Sequence, residues 1–270
     1  MNKKFTLGVI GGGNMAGAII GGITRAGILK GDNIIVGDID SQKLNDLHTE
    51  YGIAITFHNK ELIDSSDYIL LAVKPQVFPL LRKDFNGSCD INIISIMAGV
   101  NIDKIKSVTN CRAVCRVMPN TPAMIGKGIS ALCFEGYSDL EKNFVRSIFE
   151  SIGEAIYLNE GLFHAVTSIS GSGPAYVYTF INAMIKGGVE GGLSESDSRK
   201  LAIATTIGAA EMALRNPDKS IDELINAVCS KGGTTIEAIK SFKRDNLEDI
   251  IIKGIKACRL RSEELSREES

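Results

Sequence analysis

Histidine is scarce in this sequence. The 270 residues hold 3, His48, His58 and His164, and none stands in a Ser/His/Asp setting or in H-E-x-x-H. Serine hydrolase and zinc peptidase chemistry therefore has no foothold. Paired cysteines are missing as well. The 6 cysteines, Cys89, Cys111, Cys115, Cys133, Cys229 and Cys258, include no C-x-x-C, so reduced thiols are the simplest state. Cys111 and Cys115 are spaced like helix neighbours, but they border a predicted strand and lack a second ligand pair, so no metal is expected. There is no basic block, and the net charge is −2. That balance argues against nucleic acid or an anionic membrane as partner. No sequence repeat is present. With hydrophobic residues at 44%, the chain is globular and long enough for two domains.

Charge is also absent between Phe5 and Thr24, behind Lys3 and Lys4. The pattern superficially resembles a signal peptide or a membrane span. Gly8, Gly11, Gly12, Gly13, Gly17, Gly21 and Gly22 interrupt it, with Asn14 in the middle. So much glycine makes a poor spanning helix and suits a phosphate loop. A cytoplasmic protein without a membrane partner is expected.

That loop carries the first positive signal. An apolar run, Phe5 to Ile10, leads into Gly11-Gly12-Gly13-Asn14-Met15-Ala16, which fits G-x-G-x-x-G/A in the frame Gly11, Gly13, Ala16. The first glycine makes a tight turn, the second admits a pyrophosphate to the backbone, and the small third residue lets helix and strand pack closely. A second run, Ile34 to Gly37, ends at Asp38. An acid about 20 residues past such a loop accepts hydrogen bonds from a ribose. A dinucleotide, NADP(H) or NAD(H), is the implied cofactor.

The first half alternates between strands and helices. Strands are predicted at 5–10, 34–37, 54–57, 68–73, 91–96, 113–117, 129–134 and 155–158, with helices at 15–26, 41–51 (Ser41 as cap) and 140–152. Continuous apolar strands between helices imply a buried, mostly parallel, doubly wound sheet with ligands at the carboxyl ends of its strands. Three loops at that edge are small or proline-rich: Ala72-Val73-Lys74-Pro75, Met97-Ala98-Gly99 and Met118-Pro119-Asn120-Thr121-Pro122. They suit a flat ring, and Asn120 is placed to hold a carboxamide. After about residue 160 the strands stop and helices follow, at 173–187, 194–215, 221–228, after Gly233, and from 247 onward. The stretch Leu201 to Ala210 is rich in small residues, as in a helix packed tightly in a bundle or between subunits.

The most informative stretch is Cys229-Ser230-Lys231-Gly232-Gly233-Thr234-Thr235-Ile236-Glu237. Thr234 with Glu237 reads as a capping box at a helix start. Unpaired N–H groups and the positive end of the dipole make such a start a site for a small anion such as a carboxylate. Thr235 stands at its lip with a hydroxyl that donates or accepts.

Together these motifs resemble the pyrroline-5-carboxylate reductase family, which performs the last step of proline synthesis. The Gly11–Ala16 loop, Ala72 to Gln76, Arg116-Val117-Met118-Pro119-Asn120-Thr121-Pro122, Ser170-Gly171-Ser172-Gly173-Pro174-Ala175-Tyr176 and the glycine–threonine stretch carry the resemblance. Two positions depart from it: Lys231 stands where proline is usual, and Cys229 where a small hydroxyl residue is. The resemblance implies an N-terminal Rossmann-type doubly wound sheet (residues 1–160) and a C-terminal all-α dimerisation domain (161–270), assembled as a homodimer or a larger ring of dimers. It implies that Ile10, Gly11, Gly12, Gly13, Asn14, Met15, Asn59, Ala72, Val73, Lys74, Pro75, Ile96, Met97 and Ala98 touch the dinucleotide. Substrate would rest on Ser230, Gly232, Gly233, Thr234 and Thr235, with Glu160 near the ring nitrogen. The reaction is hydride transfer from NAD(P)H to a cyclic imine bearing a carboxylate. That substrate can be protonated in solution, so the site requires no strong general acid, and Thr235 is the candidate catalytic contact.

A 3-hydroxyacid dehydrogenase is the competing enzyme, with Lys186 as its candidate acid, and a non-catalytic dinucleotide sensor is the alternative outside catalysis. Asp38 adds an expectation of its own: both cofactors are accepted, with the NADPH preference usual in the family weakened or reversed.

Overall fold

The computed structural model describes residues 4–86 and 90–268, without the side chain of Glu268. Cys89 lies outside the described residues. The chain divides into two compact units, Met1–Ser172 with Cys258–Ser270, and Gly173–Ala257.

The first unit is built on an 8-stranded sheet of order β3-β2-β1-β4-β5-β6-β7-β8. The strands are β1 (Phe5–Ile10), β2 (Ile34–Gly37), β3 (Ala54–Thr56), β4 (Ser66–Leu71), β5 (Asn92–Ser95), β6 (Ala113–Met118), β7 (Gly128–Glu135) and β8 (Gly153–Tyr157). Pairing is parallel except between β6 and β7. Helices α1 (Asn14–Arg25), α2 (Ser41–Tyr51), α3 (Asn59–Ser65), α4 (Ile102–Thr109) and α5 (Asp139–Glu150) connect the strands. The chain goes out from β1 to β3 and returns to pair β4 on the other side of β1. The switch point therefore lies at the carboxyl end of β1, where such sheets hold ligands.

Two apolar layers cover the sheet. Ile19, Ile20 and Ile23 of α1 pack with Val145, Ile148 and Phe149 of α5 on one face, and Leu62, Phe78, Phe85 and Ile105 pack on the other. Burial on both faces explains the unbroken apolar strands. Ala16 is 1% exposed, the close packing its small side chain was expected to allow.

Several boundaries depart from the sequence reading. The cap of α2 is Asp40, whose side chain accepts from the Gln42 and Lys43 amides, so Ser41 is already inside the helix. The short helices α3 and α4 were not foreseen. Residues Pro75–Lys83, with Pro75 and Pro79, form a 3-10 run because proline cannot supply the α-helical amide. The first unit continues past 160 through α6 (Phe163–Val166) and a π-helical turn, Thr167–Gly171. Phe163, 1% exposed, anchors that segment.

The second unit holds α7 (Gly173–Glu190), α8 (Glu195–Arg215), α9 (Ile221–Val228), α10 (Thr234–Arg244) and the first part of α11 (Leu247–Glu268). Its large apolar side chains stay open: Phe180, Leu201, Ile207, Met212 and Phe242 are all exposed. An apolar surface of this extent marks an interaction face. The capping box expected of Thr234 and Glu237 is not formed. Gly233 is the cap and makes no side-chain bond, so Thr234 is already the first helical residue. Glu237 instead pairs with Lys240 at 2.7 Å.

A Cβ at Gly22 of α1 would lie 2.4 Å from Ile152 Cγ2 and 3.1 Å from the Ser151 carbonyl oxygen. Ile152 is fully buried and has nowhere to move. Helix propensity favours Gly22→Ala by about 1 kcal/mol, whereas overpacking costs about 1–3 kcal/mol. The variant is expected to be less stable than the parent in urea unfolding, against the propensity trend.

Candidate active site

The turn after β1 is the narrowest point of the ligand edge. Gly11 adopts φ +103°, and a Cβ there would sit 2.7 Å from the Ala72 carbonyl oxygen. Its amide donates to the Gly37 carbonyl at 2.7 Å, and the Ala72 amide donates to the Ile10 carbonyl at 2.9 Å. At Gly13 a Cβ would meet nothing within 4 Å, so the backbone is open to a ligand. Gly13 also caps α1 without a side-chain bond, which leaves that helix's first amides available to an anion. Asn14 is exposed beside them, Met15 packs against the core, and Gly12 is buried.

A cavity of about 390 Å³ opens from this turn and brings Ile10, Gly11, Gly13, Asp38, Asn59, Ala72, Val73 and Lys74 together, as anticipated. Asp38 is half-buried, and Oδ2 accepts from the Gly12 amide at 2.6 Å. Asn59 turns its amide to Asp84 Oδ2 at 3.1 Å. The sequence reading missed the apolar rim, where Ile39, Phe57 and Leu80 are exposed. Ile39 and Phe57 stand singly in turns and Leu80 sits in the 3-10 run, so no helix or strand period marks them. A glycine turn open to a phosphate, an acid at the end of β2 and apolar walls for a flat base fit a dinucleotide.

The remaining predicted contacts lie at the ends of β4 and β5. Pro75 and Ala98 line a second cavity of about 410 Å³ with Cys258 and Arg261 from the end of α11. Met97 is buried at 2%, and Ile96 follows β5 with its amide on the Leu71 carbonyl at 3.1 Å. Ser266 Oγ donates to the Gly99 carbonyl at 3.0 Å, which ties that loop to the last turns of α11. Asn120, the residue expected to hold a carboxamide, also has a structural task. Its Oδ1 accepts from the Ile129 amide at 3.0 Å, and its Nδ2 donates to the Ser170 carbonyl at 3.2 Å.

Glu160 is likewise engaged. Its Oε1 accepts from Arg116 Nη1 at 2.9 Å and from the Ile102 amide at 2.8 Å. Arg116 is 5% exposed and stacks over the Phe163 ring at 4.7 Å. Sequence gave no sign of this pair, because its members are 44 residues apart. Its effect is to fix the start of α4, and with it the loop after β5. His164 stands nearby with Nδ1 2.9 Å from Ser262 Oγ. Partial burial, and then the Arg116 charge, hold its pKa below the ordinary value.

In the second unit, Ser230 to Gly233 make a turn in which the Gly233 amide donates to the Ser230 carbonyl at 3.0 Å and Gly232 takes φ +75°. Thr234 and Thr235 are exposed on the first turn of α10. With no side-chain cap, the amides of that turn are free to meet a carboxylate.

Comparison with known proteins agrees with this geometry. Residues 160–265 match the family model for pyrroline-5-carboxylate reductase dimerisation, and residues 6–99 that for NADP oxidoreductase, coenzyme F420-dependent. The chain is 34% identical to a pyrroline-5-carboxylate reductase of Synechocystis over 263 residues, covering 97% of this chain and 98% of the other. A solved pyrroline-5-carboxylate reductase from Coxiella burnetii matches with TM-score 0.88 and 31% identity, covering 97% and 99%. One from Plasmodium falciparum, with NADP bound, matches with TM-score 0.87 and 29% identity, covering 98% and 100%.

Glu160→Ala leaves the buried Arg116 guanidinium without its partner. A stability loss of about 3 kcal/mol is expected, the low end for a broken buried pair because Glu160 is partly exposed. Glu160→Gln keeps an acceptor for the Ile102 amide and is expected to recover part of the loss. Urea unfolding of both variants measures it.

Proposed function

The chain belongs to the pyrroline-5-carboxylate reductase family, and from that premise we propose that it reduces 1-pyrroline-5-carboxylate to L-proline with NADPH or NADH. The open start of α10 at Gly233 carries the reading, since this substrate is an anion with a single carboxylate. The amides of Thr234 and Thr235, with Ser230, Gly232 and Gly233 shaping the turn, hold that carboxylate. The Thr235 hydroxyl hydrogen-bonds the ring nitrogen or a water upon it. Bound along Gly11–Met15, Ala72–Pro75 and Ile96–Ala98, the reduced nicotinamide supplies hydride to the C=N carbon. The chain's own part is positioning, because the imine nitrogen can take its proton from solution. Glu160 stands near the ring nitrogen while it holds the start of α4 through the Ile102 amide, and Asn120 meets the carboxamide from the loop after β6 that it fixes. Lys186 is exposed on α7, and no observation favours the hydroxyacid dehydrogenase alternative.

The reading includes a homodimer, or a ring of dimers, built through the second unit. The dimerisation match and the open faces of α7, α8 and α10 support it. A cytoplasmic location belongs to the same reading, supported by the free thiols of Cys111, Cys115, Cys133, Cys229 and Cys258.

Thr235→Ala is expected to lower kcat/KM by roughly ten- to a hundredfold, the worth of one positioned hydrogen bond of about 1.5–3 kcal/mol, with dinucleotide affinity unchanged. Steady-state kinetics with pyrroline-5-carboxylate tests this, and parental turnover would remove Thr235 from the reaction. Ala204→Arg and Ala209→Arg, in the small-residue stretch of α8, are expected to give monomers or insoluble protein. Light scattering that finds a fully active particle of parental size would count against the interface.

A further inference from the structure

We propose that Asp38 makes this reductase prefer NADH over NADPH, by holding a carboxylate fixed where the 2′ oxygen of the adenosine ribose is read. The inference rests on the first unit being the dinucleotide site.

The geometry at Asp38 has two anchors. Oδ2 accepts from the Gly12 amide at 2.6 Å, inside the glycine turn. Oδ1 accepts from the Asp40 amide at 2.9 Å, just before α2. Turning the side chain outward would leave both amides without their acceptor. The carboxylate is therefore held at the lip of the cavity rather than turned to solvent. At the end of the second strand of such a sheet, an acid bonds the ribose hydroxyl of NAD(H), whereas an arginine accommodates the 2′-phosphate of NADP(H).

The cavity also has lysines, which pull the other way. Lys43, Lys74 and Lys83 all line it, and no arginine does among the described residues. Lys43 is drawn to Asp40 at 3.5 Å. Lys74 and Lys83 share their wall with Asp84, which accepts from Asn59. None of them forms an ion pair with Asp38 among the described residues. The added phosphate of NADPH therefore meets Asp38 without a dedicated counter-charge. A lysine also lacks the bidentate fork that makes arginine selective for phosphate.

Two variants separate charge from shape. Asp38→Asn keeps an acceptor oxygen for the Gly12 amide and removes the charge. Asp38→Ala removes both and frees the glycine turn. Calorimetric titration of the full-length protein with NADH and with NADPH, without imine substrate, reads affinity directly. The parent is expected to bind NADH about tenfold or more tightly than NADPH, the scale of one like-charge contact. In Asp38→Asn the ratio is expected to move about tenfold toward NADPH, and in Asp38→Ala NADH binding is expected to weaken as well. An NADPH affinity equal to or above that for NADH in the parent overturns the inference. So does an unchanged ratio in Asp38→Asn. Failure to bind either nucleotide overturns the reading of the first unit as well. Binding of both followed by no turnover with pyrroline-5-carboxylate overturns the proposed reaction alone.

Discussion

The ligand edge of the first unit depends on one constraint, the close passage of the backbone at Gly11 between two neighbouring strands. The Gly11 amide reaches the Gly37 carbonyl on one side, and the Ile10 carbonyl receives the Ala72 amide on the other. A side chain at Gly11 would strike the Ala72 carbonyl. This passage sets where β2 and β4 diverge, and so where the cavity opens. Asp38 then reaches back to Gly12, and the small loops after β4 and β5 line the neighbouring ground. Glycine is required there for backbone room, and the open space at Gly13 is what such a turn offers a phosphate.

The second unit obeys a different rule. It buries little within itself, and its large apolar side chains remain open along α7, α8 and α10. A helix whose small and apolar residues run all round lacks a single inward face, so the surface it offers must be covered by something of matching shape. The uncapped start of α10, where the proposed reaction places the substrate carboxylate, costs nothing in local packing, because Gly233 satisfies the backbone angle of a cap without occupying the amides that follow.

What could be read from sequence was what local chemistry decides. The apolar run to Ile10, the glycines after it and Asp38 at the end of an apolar strand marked the ligand edge of the doubly wound sheet, and the helical second half followed from the end of the strand pattern. What escaped was decided by distant partners. The bonds of Asn120 to Ile129 and Ser170 escaped because those partners are set by the fold. The Glu160 pair with Arg116 gave no sign because the two lie 44 residues apart. Thr234 looked like a cap because the pattern Thr-x-x-Glu says nothing about which residue starts the helix, and Gly233 took that position. The apolar rim of Ile39, Phe57 and Leu80 comes from two turns and the Pro75–Lys83 run, which are far apart in sequence, and has no signature in any one of them.

The Glu160 contact has a consequence for how the protein is made. Its two partners, Ile102 and Arg116, lie 58 and 44 residues upstream, and the Gly99 carbonyl waits for Ser266, 167 residues later. Synthesis proceeds from the N-terminus at about 5–20 residues per second. Strands β1 to β6 can therefore leave the ribosome while the Arg116 guanidinium still has no carboxylate to meet, and the loop after β5 remains untied until the last helix emerges. The nucleotide edge of a growing chain is thus among the last parts to be fastened, although the glycine turn that defines it is among the first to be translated.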